Sequence, residues 1–391
     1  MNADLLLIFV LLNGVCLFCR ANSAASKNSN RSRINNEFDS RFRAAFLAFH
    51  AKELRAAMKQ IRILPIAAIV TLCGTFCAAR AAENAAGFYL LGSKSSMAGY
   101  TPPPGLYVTD INYYYTGDAR GAAAVGRALQ NVGNITLEAD IALVGDAYVN
   151  ALIGTWIAPE KVLGGNVGFG IMVPAGWKKA DVALDTLTTI TLPGGTIIGP
   201  GSHFELDDST TDFGDPLVSV LIGWHSGNWH WNLTGLLNVP IGPYDDDSSS
   251  NISFHHWGLD TSAAVTWLDA AKGHEVSVAA GFTFNWENPA TDYQTGTEFH
   301  VEWALIQHLS KTCSIGLAGY HYQQVTGDSG AGAVVGDFEG RVTALGPVFT
   351  YSFALGKVPV STEWKYFHEF DTENRVEGDG GFLNISMPLG N

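Results

Sequence analysis

From about Tyr107 onward the chain repeats one pattern, in which stretches of roughly ten to fifteen residues alternate apolar and polar side chains and then give way to a turn or an acidic loop. The clearest copy is Ile135-Thr136-Leu137-Glu138-Ala139-Asp140-Ile141. Successive side chains of a strand point to opposite faces, so Ile135, Leu137, Ala139, Ile141 and Leu143 share one face and Thr136, Glu138 and Asp140 the other. A soluble sandwich could carry one such segment. Its recurrence along the chain, behind an export signal and with aromatic residues near strand ends, points to an antiparallel all-β transmembrane barrel of the outer-membrane type.

Composition supports that class. Only 15% of the 391 residues are charged while 47% are hydrophobic, whereas soluble domains carry about a quarter charged residues. No apolar run reaches the roughly 18 residues of a spanning helix. Two segments resemble export signals. Residues 4–19 are apolar but lack a basic start. Met58-Lys59-Gln60-Ile61-Arg62, the apolar stretch Ile63 to Phe76 and Ala79-Arg80-Ala81 supply all three parts of a signal peptide. The expected organisation is therefore a true start at Met58, with 1–57 either upstream sequence translated in error or a genuine extension, then a signal peptide at 58–81. A periplasmic or plug-like segment at 82–106 and a barrel at 107–391 follow. Without residues 1–81 the chain keeps 12 Lys+Arg against 33 Asp+Glu, a net charge of −21, and Cys313 alone among its cysteines. That charge argues against nucleic acid as a partner. One cysteine closes no intramolecular disulfide, and a closed barrel needs none, because no strand edge is left open.

The pattern predicts twelve strands near 107–116, 140–157, 166–176, 213–224, 229–241, 255–267, 274–285, 297–308, 313–325, 340–354, 358–370 and 380–389, with ten or fourteen as alternatives. The stretch 135–157 is long enough for two strands, and 181–193 could form a further hairpin. Short breaks (158–161, 225–228, 268–273, 308–312, 355–357) alternate with long ones (117–133, 177–212, 242–253, 287–295, 326–339, 371–380). That is the layout of periplasmic turns and extracellular loops.

Alternation assigns faces. Trp231, Leu233 and Leu237 point outward against inward Asn232, Thr234 and Asn238. Val276, Val278, Phe282 and Phe284 oppose Ser277 and Thr283. Phe299, Val301, Trp303 and Leu305 oppose His300 and Glu302. The expected lumen lining is Glu138, Asp140, Asp260, His300, Glu302, Glu363, Lys365 and Glu369, of which the acids Glu138, Asp140, Asp260, Glu302 and Glu363 would disfavour anions. Tyr113, Tyr114 and Phe367 are candidate stacking partners for an aromatic solute. Several tryptophans near strand ends, including Trp224, Trp229 and Trp267, suit the membrane–water boundary.

Other motifs yield less. Gly327-Asp328-Ser329-Gly330 resembles a protease nucleophile loop but lacks the flanking pattern and reads as a flexible loop. Ser329 with His321 is the one pair that an outer-membrane hydrolase or acyltransferase could use. A structural barrel with partner-binding loops is the third reading. Asp245-Asp246-Asp247 reads as a solvated loop rather than a cation site, and His255-His256, on opposite faces of a strand, cannot share one ion. No cofactor or metal is implied.

Six segments in order carry a resemblance: Met97-Ala98-Gly99 with Pro102-Pro103-Pro104-Gly105, Tyr113-Tyr114-Tyr115-Thr116-Gly117-Asp118, Thr211-Asp212-Phe213-Gly214-Asp215-Pro216, Asn238-Val239-Pro240-Ile241-Gly242-Pro243-Tyr244, Glu287-Asn288-Pro289-Ala290-Thr291-Asp292-Tyr293, and Phe367-His368-Glu369-Phe370. From about Ala82 to its end the chain resembles the transporter-like proteins of the meta-pathway of phenol degradation. The resemblance implies an outer-membrane channel associated with aromatic catabolism, whose partners are small solutes, outer-membrane lipid and the barrel-assembly machinery. It carries no catalytic residues.

Overall fold

The computed structural model describes residues 87–390 apart from 130–132, 193–194, 199–201, 247 and 334–338. The export signal and the upstream extension expected at 1–81 lie outside the described residues. Fourteen strands form one sheet: β1 (Gly105–Leu129), β2 (Gly133–Val162), β3 (Gly165–Leu192), β4 (Gly195–Ile198), β5 (Ser202–Phe213), β6 (Leu217–Ser226), β7 (Trp229–Asn238), β8 (Gly258–Asp269), β9 (His274–Asn285), β10 (Glu298–His308), β11 (Cys313–Gln324), β12 (Arg341–Leu355), β13 (Val358–Glu373) and β14 (Glu377–Gly390). Each pairs antiparallel with its neighbours, and β14 returns to β1 with Phe382 opposite Tyr113. Twelve of them close a barrel. The four-residue β4 and the twelve-residue β5 stand outside the ring, paired to the far half of β3. No helix among the described residues is long and apolar enough to cross a membrane; here the strands cross.

Side chains sort by the period of two. On β9, Val276, Val278, Phe282 and Phe284 are exposed on the outer wall, while Glu275, Ser277, Ala279 and Thr283 are buried inside. On β10, Leu305 is exposed, and Glu298, His300, Glu302 and Ala304 are buried. The outside is apolar because lipid solvates it, and closure gives every backbone group in the wall a ladder partner.

Several boundaries differ from the sequence expectation for identifiable reasons. The long breaks at 117–133 and 177–212 are mostly strand. Asp118 still pairs Val144 and Arg120 pairs Ala142, and Lys178 pairs Thr210, because the alternating pattern continues beyond the bilayer and a hairpin satisfies the backbone there. Residues 135–157 are part of one strand, β2. The strand expected at 229–241 stops at Asn238, since Pro240 cannot donate to a ladder. The strand expected from 255 begins at Gly258, so His255 and His256 lie in the loop rather than across a strand; His255 stacks on Tyr244, with ring centroids 4.6 Å apart. The break at 371–380 shrinks to the three residues between β13 and β14.

Two carboxylates tie down the loops above the barrel. Buried Asp215, just before β6, accepts the backbone N–H groups of Gly242 (2.8 Å), Phe254 (2.8 Å) and His255 (2.9 Å). Asp328, expected in a flexible loop, is instead buried. It accepts from Gln324 Nε2 (2.6 Å), the Gly296 N–H (3.0 Å) and the Tyr293 hydroxyl. A carboxylate that gathers several donors orders the segments supplying them.

Candidate functional site

The barrel is not empty. Residues 87–104 have no strand period, because prolines and glycines interrupt them, and they thread the lumen as a plug held by polar side chains of the wall. Three anchors follow one another along the plug. At the first, the Tyr89 hydroxyl donates to Glu302 Oε1 at 2.6 Å, and the Lys94 N–H donates to Glu302 Oε2 at 2.8 Å. The Tyr89 ring also stacks on the His300 imidazole, centroids 3.8 Å apart and planes 21° from parallel. His300 Nε2 in turn lies 2.8 Å from Asp260 Oδ2. At the second, Lys365 Nζ donates to the carbonyls of Gly92 (2.7 Å) and Ser93 (3.1 Å) and to Ser95 Oγ (3.3 Å), beside Glu363 at 3.3 Å. The third is Glu275, which accepts from the Met97 N–H (2.6 Å) and Ser96 Oγ (3.0 Å) and meets His308 Nε2 at 2.7 Å. The plug then leaves past β8, where the Gly99 N–H donates to Thr266 Oγ1 at 2.9 Å.

Burial, then the neighbouring Glu302 carboxylate, holds the Tyr89 phenol well above its ordinary pKa, so it remains a donor. Burial lowers Lys94, and the carboxylates of Glu302 and Asp260 oppose that shift. Lys94 Nζ reaches Thr234 Oγ1 and Ser262 Oγ at 3.4 and 3.3 Å.

Beside the plug the lumen is aromatic. Tyr113 packs on Phe382 (centroids 4.6 Å), Phe367 on Tyr320 (5.2 Å) and on Phe382 (6.0 Å). The hydroxyls of Tyr115 and Tyr320 both donate to Glu369, each at 2.7 Å. Nearby, the Tyr322 hydroxyl donates to Glu298 at 2.6 Å, and the Arg375 guanidinium covers the Tyr322 ring at 4.3 Å.

The structure places Asp260, His300, Glu302, Glu363, Lys365 and Glu369 on the inner face, and Tyr113 and Phe367 with them. The side chains of Glu138 and Asp140 lie outside the described residues. Tyr114 needs correction as a lumen aromatic: it is 50% exposed on the outer wall, because adjacent strand residues cannot both point inward. Ser329 is exposed in the loop between β11 and β12, while His321 alternates with inward-facing Tyr320 and Tyr322 and so faces outward, bonded to Thr343 Oγ1 at 2.9 Å. Tyr89, Lys94, Glu275, Glu298 and Arg375 escaped the sequence reading. Alternation from Ser277 reaches Glu275, and alternation from His300 reaches Glu298. The plug residues carry no periodic signal.

A closed twelve-stranded barrel with an apolar outer wall and a polar, occupied lumen is a bacterial outer-membrane β-barrel. The family described as "Putative MetA-pathway of phenol degradation" matches residues 116–385, and the chain belongs to that family. Among solved structures it is similar to an outer membrane channel from Pseudomonas putida F1, with TM-score 0.51 and 13% identity over 74% of this chain and 97% of that one. Looser likenesses are a FadL homologue from Pseudomonas aeruginosa (TM-score 0.34, 8% identity, 73% of this chain and 90% of that one) and the CymD monoaromatic hydrocarbon channel (TM-score 0.30, 9% identity, 74% and 89%). No curated protein matches the chain.

Proposed function

We propose that the protein is an outer-membrane channel for small, neutral aromatic compounds of the phenol class, which diffuse through the lumen when the plug yields. The observation that carries this reading is the inward cluster of Tyr113, Tyr320, Phe367 and Phe382 around the Glu369 carboxylate. Rings offer stacking surfaces. The carboxylates of Glu275, Glu298, Glu302 and Glu369 repel aromatic acids but accept hydroxyl donors. With the plug in place, the narrow lumen excludes large hydrophilic solutes.

In this reading the partners are small solutes, outer-membrane lipid and the barrel-assembly machinery, and no residue has a catalytic role. The segment Met58 to Ala81 serves as the export signal, and residues 1–57 take no part. The test is uptake of labelled phenol at micromolar concentration by cells with the gene deleted or restored. Slower uptake on deletion, recovered by the restored gene, is expected. Equal uptake refutes the proposal.

A further inference from the structure

Among the described residues, four tyrosine hydroxyls in the lumen donate to carboxylates, and three belong to the wall: Tyr115 and Tyr320 on Glu369, and Tyr322 on Glu298. The fourth, Tyr89, belongs to the plug. Its side chain is a para-substituted phenol, buried to 8% exposure. The hydroxyl is 2.6 Å from Glu302 Oε1, and the ring lies flat on His300 at 3.8 Å. These are the contacts a free phenol would want, namely a carboxylate acceptor for its hydroxyl and a flat π surface for its ring. Beside the ring there is a void of about 10 Å3, bordered by Gly87, Leu91, Thr283 and Glu298 among others. That is room for about one water, so no second ring fits while Tyr89 stays. His300, which also borders this void, has a buried Nδ1 without a partner in the structure.

We infer that Tyr89 is a built-in surrogate ligand: phenol-class solutes compete with it for the Glu302–His300 site, and their binding releases the plug. The inference rests on the proposed function and adds to it a site, a chemistry and a gate. Glu302 gives the site its preference. It accepts a hydroxyl proton, so phenols bind, whereas toluene offers no donor and benzoate brings a second negative charge. The other oxygen of the same carboxylate holds the Lys94 N–H, so a solute that displaces Tyr89 from Oε1 frees the plug next to that contact. Linkage makes the effect reciprocal, since whatever weakens Tyr89 in the site strengthens the apparent affinity for phenol.

The experiment is ion conductance of the full-length protein in planar bilayers, with phenol, toluene or benzoate titrated into both chambers, for the wild type and for Tyr89→Phe. Wild-type conductance should rise with phenol and stay at baseline with toluene or benzoate. Tyr89→Phe keeps the ring and loses one charge-assisted hydrogen bond. Its baseline conductance should rise, and its half-effect phenol concentration should fall, roughly tenfold. Resistance to heat on a gel confirms that the variant barrel is folded. In parallel, 3-fluorotyrosine placed at Tyr89 should shift its ¹⁹F signal toward the free position as phenol is added. A toluene effect equal to that of phenol overturns the inference. So does a leaky Tyr89→Phe channel with unchanged phenol response, or a ¹⁹F signal that phenol does not move. Cells that depend on the channel for phenol uptake while phenol leaves its conductance unchanged would refute the gate alone. Uptake independent of the gene refutes the channel itself.

Discussion

Lys365→Met removes the central anchor of the plug while leaving the barrel wall intact. Lys365 Nζ donates to two plug carbonyls and one plug hydroxyl at 2.7 to 3.3 Å, and its side chain is fully buried beside Glu363. Each hydrogen bond to a charged group is worth about 1.5–3 kcal/mol, and breaking a buried pair costs about 3–5 kcal/mol in all. Methionine fills similar volume and leaves the pairing of β13 with β12 and β14 unchanged. Taking about 3 kcal/mol as the loss, plug release becomes roughly a hundredfold easier at 1.4 kcal/mol per decade. Amide hydrogen exchange reads this directly, because the Lys94, Met97 and Gly99 N–H groups are protected only by wall side chains. Their exchange should accelerate about a hundredfold, while amides of β9 and β10 keep wild-type rates. Unchanged exchange at these three amides would refute the anchoring role. Equal acceleration throughout the wall would mean that Lys365 supports the barrel rather than the plug.

Other outcomes follow from the same geometry. Gly92→Ala should expel the middle of the plug and raise bilayer conductance, because Gly92 has φ +82° and an added methyl would sit 2.7 Å from Phe367 Cε2. Glu275→Gln should speed exchange at Met97 more than at Lys94, since Glu275 holds Ser96, Met97 and His308 but not Lys94. Asp208 on β5 is held below the usual carboxylate range; burial raises it, but donors from Ser248, Ser249 and Ser250 outweigh that. Its contribution is therefore present above the ordinary carboxylate pKa and lost as pH falls through the lowered value, and protease cleavage near 248–250 should rise in acid and for Asp208→Asn alike. Intact mass of the protein from outer membranes should place its N-terminus at Ala82; a mass that includes residues 58–81 would contradict the export assignment.

Much of the wall was legible because a barrel strand obeys one rule. A period of two places Asn232, His300 and Glu302 inside and Leu233 and Leu305 outside, with no knowledge of neighbours. The same rule places Tyr114 outside, opposite to its expected role, so that error came from weighing residue type over parity. Ends were harder, because the pattern in β1, β2 and β3 runs past the bilayer, and sequence does not mark where lipid stops. The plug was least legible. Residues 87–104 have no period, and their contacts reach partners as far as 273 residues away. Nothing local in Tyr89 or Lys94 names Glu302 as a partner. Glu363 and Lys365 were readable as an inner charge ladder, but their grip on Ser95 was not.

The most direct test of the central claim is the initial rate of labelled phenol entry at micromolar concentration into whole cells expressing the wild type, Lys365→Met or no channel. A plugged channel for phenol-class solutes predicts the fastest entry with Lys365→Met, intermediate entry with the wild type and the slowest without the protein, while arabinose entry stays equal in the wild type and the deletion. Identical phenol rates in all three strains would contradict it.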